Sequence, residues 1–111
     1  MECVNTVTSV LYAEARGESE KGMRGVLHVI LNRAKKQHKP ACHVVKQRGQ
    51  FAKGLYKPGD PIWQLAKTLV KNPGRDITKG AVYFHNRSVK PYWIRELKVT
   101  LKYGGHVFYS A

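Results

Sequence analysis

Val4, Val7, Leu11 and Ala15 recur at helical spacing and predict a helix over residues 4–16. Gly17 interrupts it, and Ser19 is placed to cap a second helix that runs to about Lys36. Met23, Val26, Leu27, Ile30, Leu31 and Ala34 give that helix a wide apolar stripe, and Pro40 ends it. Residues 40–59 mix Lys, Gly and Pro with few periodic positions, so they read as a long loop with short turns. Asp60-Pro61 reads as a helix start, an N-cap followed by proline in the first turn. Ile62, Leu65, Ala66, Leu69 and Val70 continue that helix to Asn72-Pro73-Gly74. After Gly80 the period changes. Ala81-Val82-Tyr83-Phe84 is strand-like, and Leu97 to Leu101 alternates with period two. Tyr103-Gly104-Gly105-His106 reads as a hairpin turn, with Val107-Phe108-Tyr109 completing the pair. Helices first and a small antiparallel sheet afterwards predict an α+β fold.

At 111 residues the chain is expected to form one domain over residues 1–111. Twenty Lys and Arg against seven Asp and Glu give a net charge of +13. The charge is unevenly placed: residues 1–33 balance four acids against four bases, so the whole excess follows residue 33. Such a surface suits polyanions, whether nucleic acid, anionic lipid or an acidic cell wall, although solubility alone would also account for it. No apolar run approaches the roughly 20 residues of a membrane span. The first residues lack a basic and apolar leader, so synthesis in a cytosol is the default. Cys3 and Cys42 lack CxxC spacing, cannot build a disulfide framework and exclude a cysteine-based zinc site. His28, His38, His43, His85 and His106 show no HExxH or other metal spacing, so no metal or cofactor is expected.

The informative stretch is Tyr12-Ala13-Glu14-Ala15-Arg16-Gly17-Glu18. Glu14 falls in the last turn of an apolar helix, where the helix C-terminus disfavours negative charge and helps keep a carboxyl protonated. On spacing alone it could equally pair with a base or point to water. With Gly22, Val26 to Arg33, Gln50-Phe51, Gly80 to Asn86, Trp93 and Gly105 to Phe108, the segment resembles, in order, the SleB/CwlJ family of cell-wall hydrolases. The similarity covers roughly residues 7–109.

That resemblance implies a compact catalytic domain akin to lysozyme-like lytic transglycosylases. It also implies cleavage of the bond between muramic acid and glucosamine in peptidoglycan, with Glu14 as the catalytic acid. Ordinary glycosidases need two carboxyl groups at a set separation. Only Glu18 and Glu20 lie near Glu14 in sequence, which favours a substrate-assisted lytic transglycosylase giving 1,6-anhydro products. A general acid in a positive protein needs local desolvation, for which Tyr12, Phe51 and Trp93 are candidates. Arg16 is expected to pair with Glu18 or Glu20.

Glu18, Gln50, Phe51, Tyr83, Asn86, Trp93 and His106 are the candidate substrate-binding residues. Each has a structural alternative: a loop anchor for Gln50 and Phe51, plain core for Tyr83, a hydrophobic lid for Trp93, a satisfied turn residue for His106. The basic composition and absent leader suit a phage endolysin or virion-associated lysin, made in the host cytoplasm and acting on the wall in the periplasm. Its expected partners are peptidoglycan glycan strands and, electrostatically, anionic wall or outer-membrane polymers. A monomer with no specific nucleic-acid partner is expected. The competing readings are a basic nucleic-acid-binding protein or small nuclease, and a non-catalytic wall- or membrane-binding module.

Overall fold

The computed structural model describes residues 2–88, 91 and 96–110. The elements in order are α1 (Glu2–Ala15), α2 (Glu20–Gln37), α3 (Ala41–Val44), α4 (Pro61–Lys71), β1 (Tyr83–Asn86), β2 (Lys98–Tyr103) and β3 (His106–Ser110). The architecture is α+β, as predicted. The long loop read over residues 40–59 contains one unpredicted turn of helix, α3, before it becomes irregular. Its four residues are too few to show a period.

The helix starts follow local chemistry. Ser19 accepts the Gly22 N–H at 3.2 Å and opens α2. The Asp60 carboxylate accepts the Ile62 N–H at 2.8 Å and opens α4, with Pro61 in the first turn. His38, in the left-handed conformation, closes α2.

The sheet order is β1-β3-β2, antiparallel throughout. β3 is therefore central and mostly buried, whereas β2 is an edge strand with mixed exposure. A register shift between Val99 and Leu101 re-aims that edge. Gly104, at φ 57°, makes the β2–β3 turn that a side chain would strain.

Val7, Leu11, Met23, Val26, Leu27, Ile30, Trp63, Ala66 and Phe108 form one continuous core between α1, α2, α4 and β3. Gly25 permits the closest approach, because a Cβ there would stand 2.8 Å from Cζ of Phe108. Asp76 ties the segment before β1 to α2. Its carboxylate accepts from Asn32 Nδ2 at 2.9 Å, Thr78 Oγ1 at 2.6 Å and the N–H groups of Thr78 and Gly80. Burial opposes that charge, but the donors outweigh it and hold Asp76 below the usual carboxylate range.

A disulfide joins Cys3 on α1 to Cys42 on α3, with the Cα atoms 5.2 Å apart. Two cysteines make no framework, but they do make this single bridge, and a separation of 39 residues carries no local signal of the contact.

Candidate active site

Glu14 lies one residue from the end of α1 and is partly buried. It continues the face of Val7, Val10 and Leu11, where an apolar residue would ordinarily stand. Burial raises its pKa above the ordinary 4.5. The Ala52 N–H, which reaches the carboxyl group, and the positive charge of Arg33 oppose that shift without cancelling it.

The loop supplying Ala52 runs along α1. Leu55 N–H donates to the Ser9 carbonyl at 3.1 Å, and the indole of Trp63 on α4 donates to Ser9 Oγ at 3.3 Å. Just before Ala52 on the same loop, Gln50 and Phe51 meet α2. There Arg33 is the organising group. Its Nε donates to the Val82 carbonyl, and its Nη1 donates to Gln50 Oε1 at 3.2 Å. Its guanidinium carbon stands 4.8 Å from the ring centre of Phe51 and 5.0 Å from that of Tyr83. Burial pulls the Arg33 pKa below the ordinary guanidinium range, opposed by Tyr83 and Glu14, and an arginine stays a cation at any working pH.

Four of the predicted residues, Glu14, Gln50, Phe51 and Tyr83, are thus gathered about an arginine that the sequence reading did not single out. Its signal was present: Val26, Ile30 and Arg33 follow one helix face, so a cation prolongs a buried stripe. Glu96, also not singled out, lines a cleft with Arg33, Gln50, Tyr83 and Phe84.

Glu18 and His106 lie together at the β2–β3 turn. Glu18 Oε1 accepts the Gly105 N–H at 3.1 Å and stands 3.6 Å from His106 Nδ1. Burial lowers the His106 pKa; the nearby Glu18 opposes that shift and His85 adds to it. The His106 ring meets Phe84 edge to face, with centroids 5.2 Å apart, and Phe84 in turn lies 6.5 Å from Phe51. Asn86 is exposed, and its Oδ1 accepts from the backbone and hydroxyl of Ser88, each at 2.9 Å. Trp93 lies outside the described residues.

Two expectations are corrected. Tyr12 does not lean on Glu14: its hydroxyl donates to Asp60 Oδ2 at 2.5 Å, tying α1 to the start of α4. Arg16 stacks on the Tyr12 ring at 5.5 Å, while Glu20 pairs with Arg24 and Glu18 with the turn. Gly17 lets the chain turn away between Arg16 and those acids.

Among the described residues, no three His, Cys, Asp or Glu side chains gather into a group that could hold a metal ion, and no helix is long and apolar enough to cross a membrane.

The catalytic domain of the Bacillus cereus SleB protein, known from a crystal structure, has the same fold. Its TM-score is 0.74 at 24% identity, over 97% of this chain and 89% of that one. No curated protein matches in sequence. A family model described as Cell Wall Hydrolase matches residues 17–109, leaving Glu14 just outside the matched span. With most of its length matched, the chain belongs to the cell wall hydrolase family, enzymes that degrade peptidoglycan.

Proposed function

We propose that the protein is a lytic transglycosylase that cleaves the glycosidic bond between N-acetylmuramic acid and N-acetylglucosamine, with Glu14 as its single acid–base group. The observation that carries this reading is the environment of Glu14: a carboxyl group whose burial favours the protonated form, beside a fixed cation. Glu18, Asp60 and Asp76 are committed to backbone or side-chain donors elsewhere, so none is spare to serve as its partner.

The steps balance without water. Protonated Glu14 gives its proton to the glycosidic oxygen as the bond to C1 of the muramic residue breaks. The acetamido carbonyl of that residue supports the oxocarbenium-like centre. Glu14, now a carboxylate, takes the proton of the C6 hydroxyl, and O6 bonds to C1 to close a 1,6-anhydro ring. Arg33 offsets the negative charge on Glu14 between the two transfers. Gln50, Phe51 and Tyr83 line the approach, with Asn86, Glu18 and His106 as outer candidates for sugar contacts and Trp93 as a further candidate. The basic surface holds the enzyme on an anionic wall, consistent with a monomeric phage lysin, free or virion-associated.

Glu96 supports a second reading. As a carboxylate in the Arg33 cleft, it could activate a water, making the enzyme a two-carboxylate hydrolase. Mass spectrometry of digested peptidoglycan separates the two. Anhydro ends, with turnover kept in Glu96→Gln, support the transglycosylase. Products that have gained water, with turnover lost in Glu96→Gln, support the hydrolase and remove the first reading.

A further inference from the structure

A cavity of about 740 Å³ lies beside the cleft that Arg33 lines and is distinct from it. It runs between α1 and the loop over residues 45–56, and Phe51 and Ala52 form the end nearest Glu14. Its α1 wall includes Thr6 and Val10, eight and four residues before Glu14 and therefore on the same helix face. Lys46, Arg48 and Lys53 stand around it, and among the described residues no Asp or Glu lines it. Asn5 also lines it, and the Asn5 Oδ1 is buried with no hydrogen-bond partner.

We infer that this cavity is a subsite for the acidic peptide stem that hangs from the lactyl group of the muramic residue being cleaved, an assignment that rests on the peptidoglycan reading above. The charge fits: three cations and no anion face a peptide bearing free carboxylates. The polarity fits: Thr6, Ser9 and Gln47 stand among apolar walls of Val10, Val45 and Phe51, a mix that suits a peptide backbone with small side chains. The length fits as well. Asn5 lies nine residues before Glu14, about 13 Å along the helix axis, and about four extended residues cover that distance. The glycan then crosses the Arg33, Gln50 and Tyr83 cleft while its stem lies along α1.

The test has two readouts. In the first, labelled Glu14→Gln protein is titrated with a free acidic tetrapeptide of stem composition and followed by amide NMR. Shifts at Asn5, Val45 and Gly54 that vanish in the double variant Lys46→Gln/Lys53→Gln support the subsite, and no shift in the parent protein overturns it. In the second, otherwise native enzyme and the double variant are compared on intact sacculi and on glycan strands stripped of stems by an amidase. The expected result is a fall of about tenfold in kcat/KM on intact wall, carried by KM, with stripped strands unaffected. Equal losses on both substrates overturn the subsite in favour of general electrostatics. Peptide shifts without any glycan cleavage would leave the subsite standing and count against the enzyme reading alone.

Discussion

The guanidinium of Arg33 is clasped between two aromatic rings, 4.8 Å from the centre of Phe51 and 5.0 Å from that of Tyr83. One ring comes from the loop after α3 and the other from β1, so a single α2 side chain joins the two walls of the cleft. A lysine cannot reproduce a planar cation that lies over two rings while donating to Val82 and Gln50. Arg33→Lys is expected to lower kcat/KM by about tenfold or more with the fold intact by circular dichroism. Arg33→Met removes a charge that lowers the Glu14 pKa, so the alkaline limb of its pH–rate profile should move to higher pH. A limb that stays in place would assign Arg33 a packing role only.

Glu14 sets both activity and stability against pH. Burial raises its folded pKa above 4.5, so the acid form persists, and with it kcat/KM, to higher pH than an ordinary glutamate allows. The folded state binds this proton more tightly than the unfolded state does. The stability linked to it is therefore full below pH 4.5 and lost as pH rises through the folded pKa. Glu14→Gln should then melt at a higher temperature than the native protein at neutral pH and show a smaller fall in Tm between pH 5 and pH 7. A lower Tm for the variant at neutral pH would mean that the carboxylate is a stabilising partner instead.

The Cys3–Cys42 bridge restrains the N-terminal turn of α1 against the helix that leads into the cleft loop. Closing a loop of this size stabilises by about 4 kcal/mol in the chain-entropy account. Cys3→Ser, or reduction of the native protein, is expected to lower Tm markedly in calorimetry. Equal Tm values with and without reductant would show that the bridge contributes nothing.

Glu18 offers a clean contrast with Glu14. Its carboxylate is occupied by the Gly105 N–H and lies beside buried His106. Glu18→Ala leaves that N–H without its acceptor and is expected to cost about 1–3 kcal/mol in urea unfolding. If Glu18 instead touches substrate, KM rises while the unfolding midpoint stays put, so measuring both assigns the residue.

What could be read from the sequence was local. Ser19 and Asp60 sit where their side chains cap the next turn, and Gly104-Gly105 sits where a tight hairpin needs it. The cleft was only half legible. Glu14 stood out because a carboxyl group in the last turn of an apolar helix is chemically odd, and Gln50, Phe51 and Tyr83 came with the family resemblance. Arg33 was missed because its role depends on two segments far away in sequence that meet over its guanidinium. Asn5 was missed for a related reason: an asparagine early in a helix looks solvated until the loop over residues 45–56 folds across it. The pairing of Arg16 went wrong at Gly17, since a turn of unknown direction decides which acid an arginine can reach.

The account rests on a proton held by Glu14 and delivered to a glycosidic oxygen. The most direct measurement is turnover of purified peptidoglycan by Glu14→Gln, which matches the native side chain in size and carries no acid, with its fold checked by amide NMR. A loss of about 10²- to 10⁴-fold in kcat with native-like spectra is the expected result. A folded variant that cleaves glycan within a few-fold of the native rate would contradict the account.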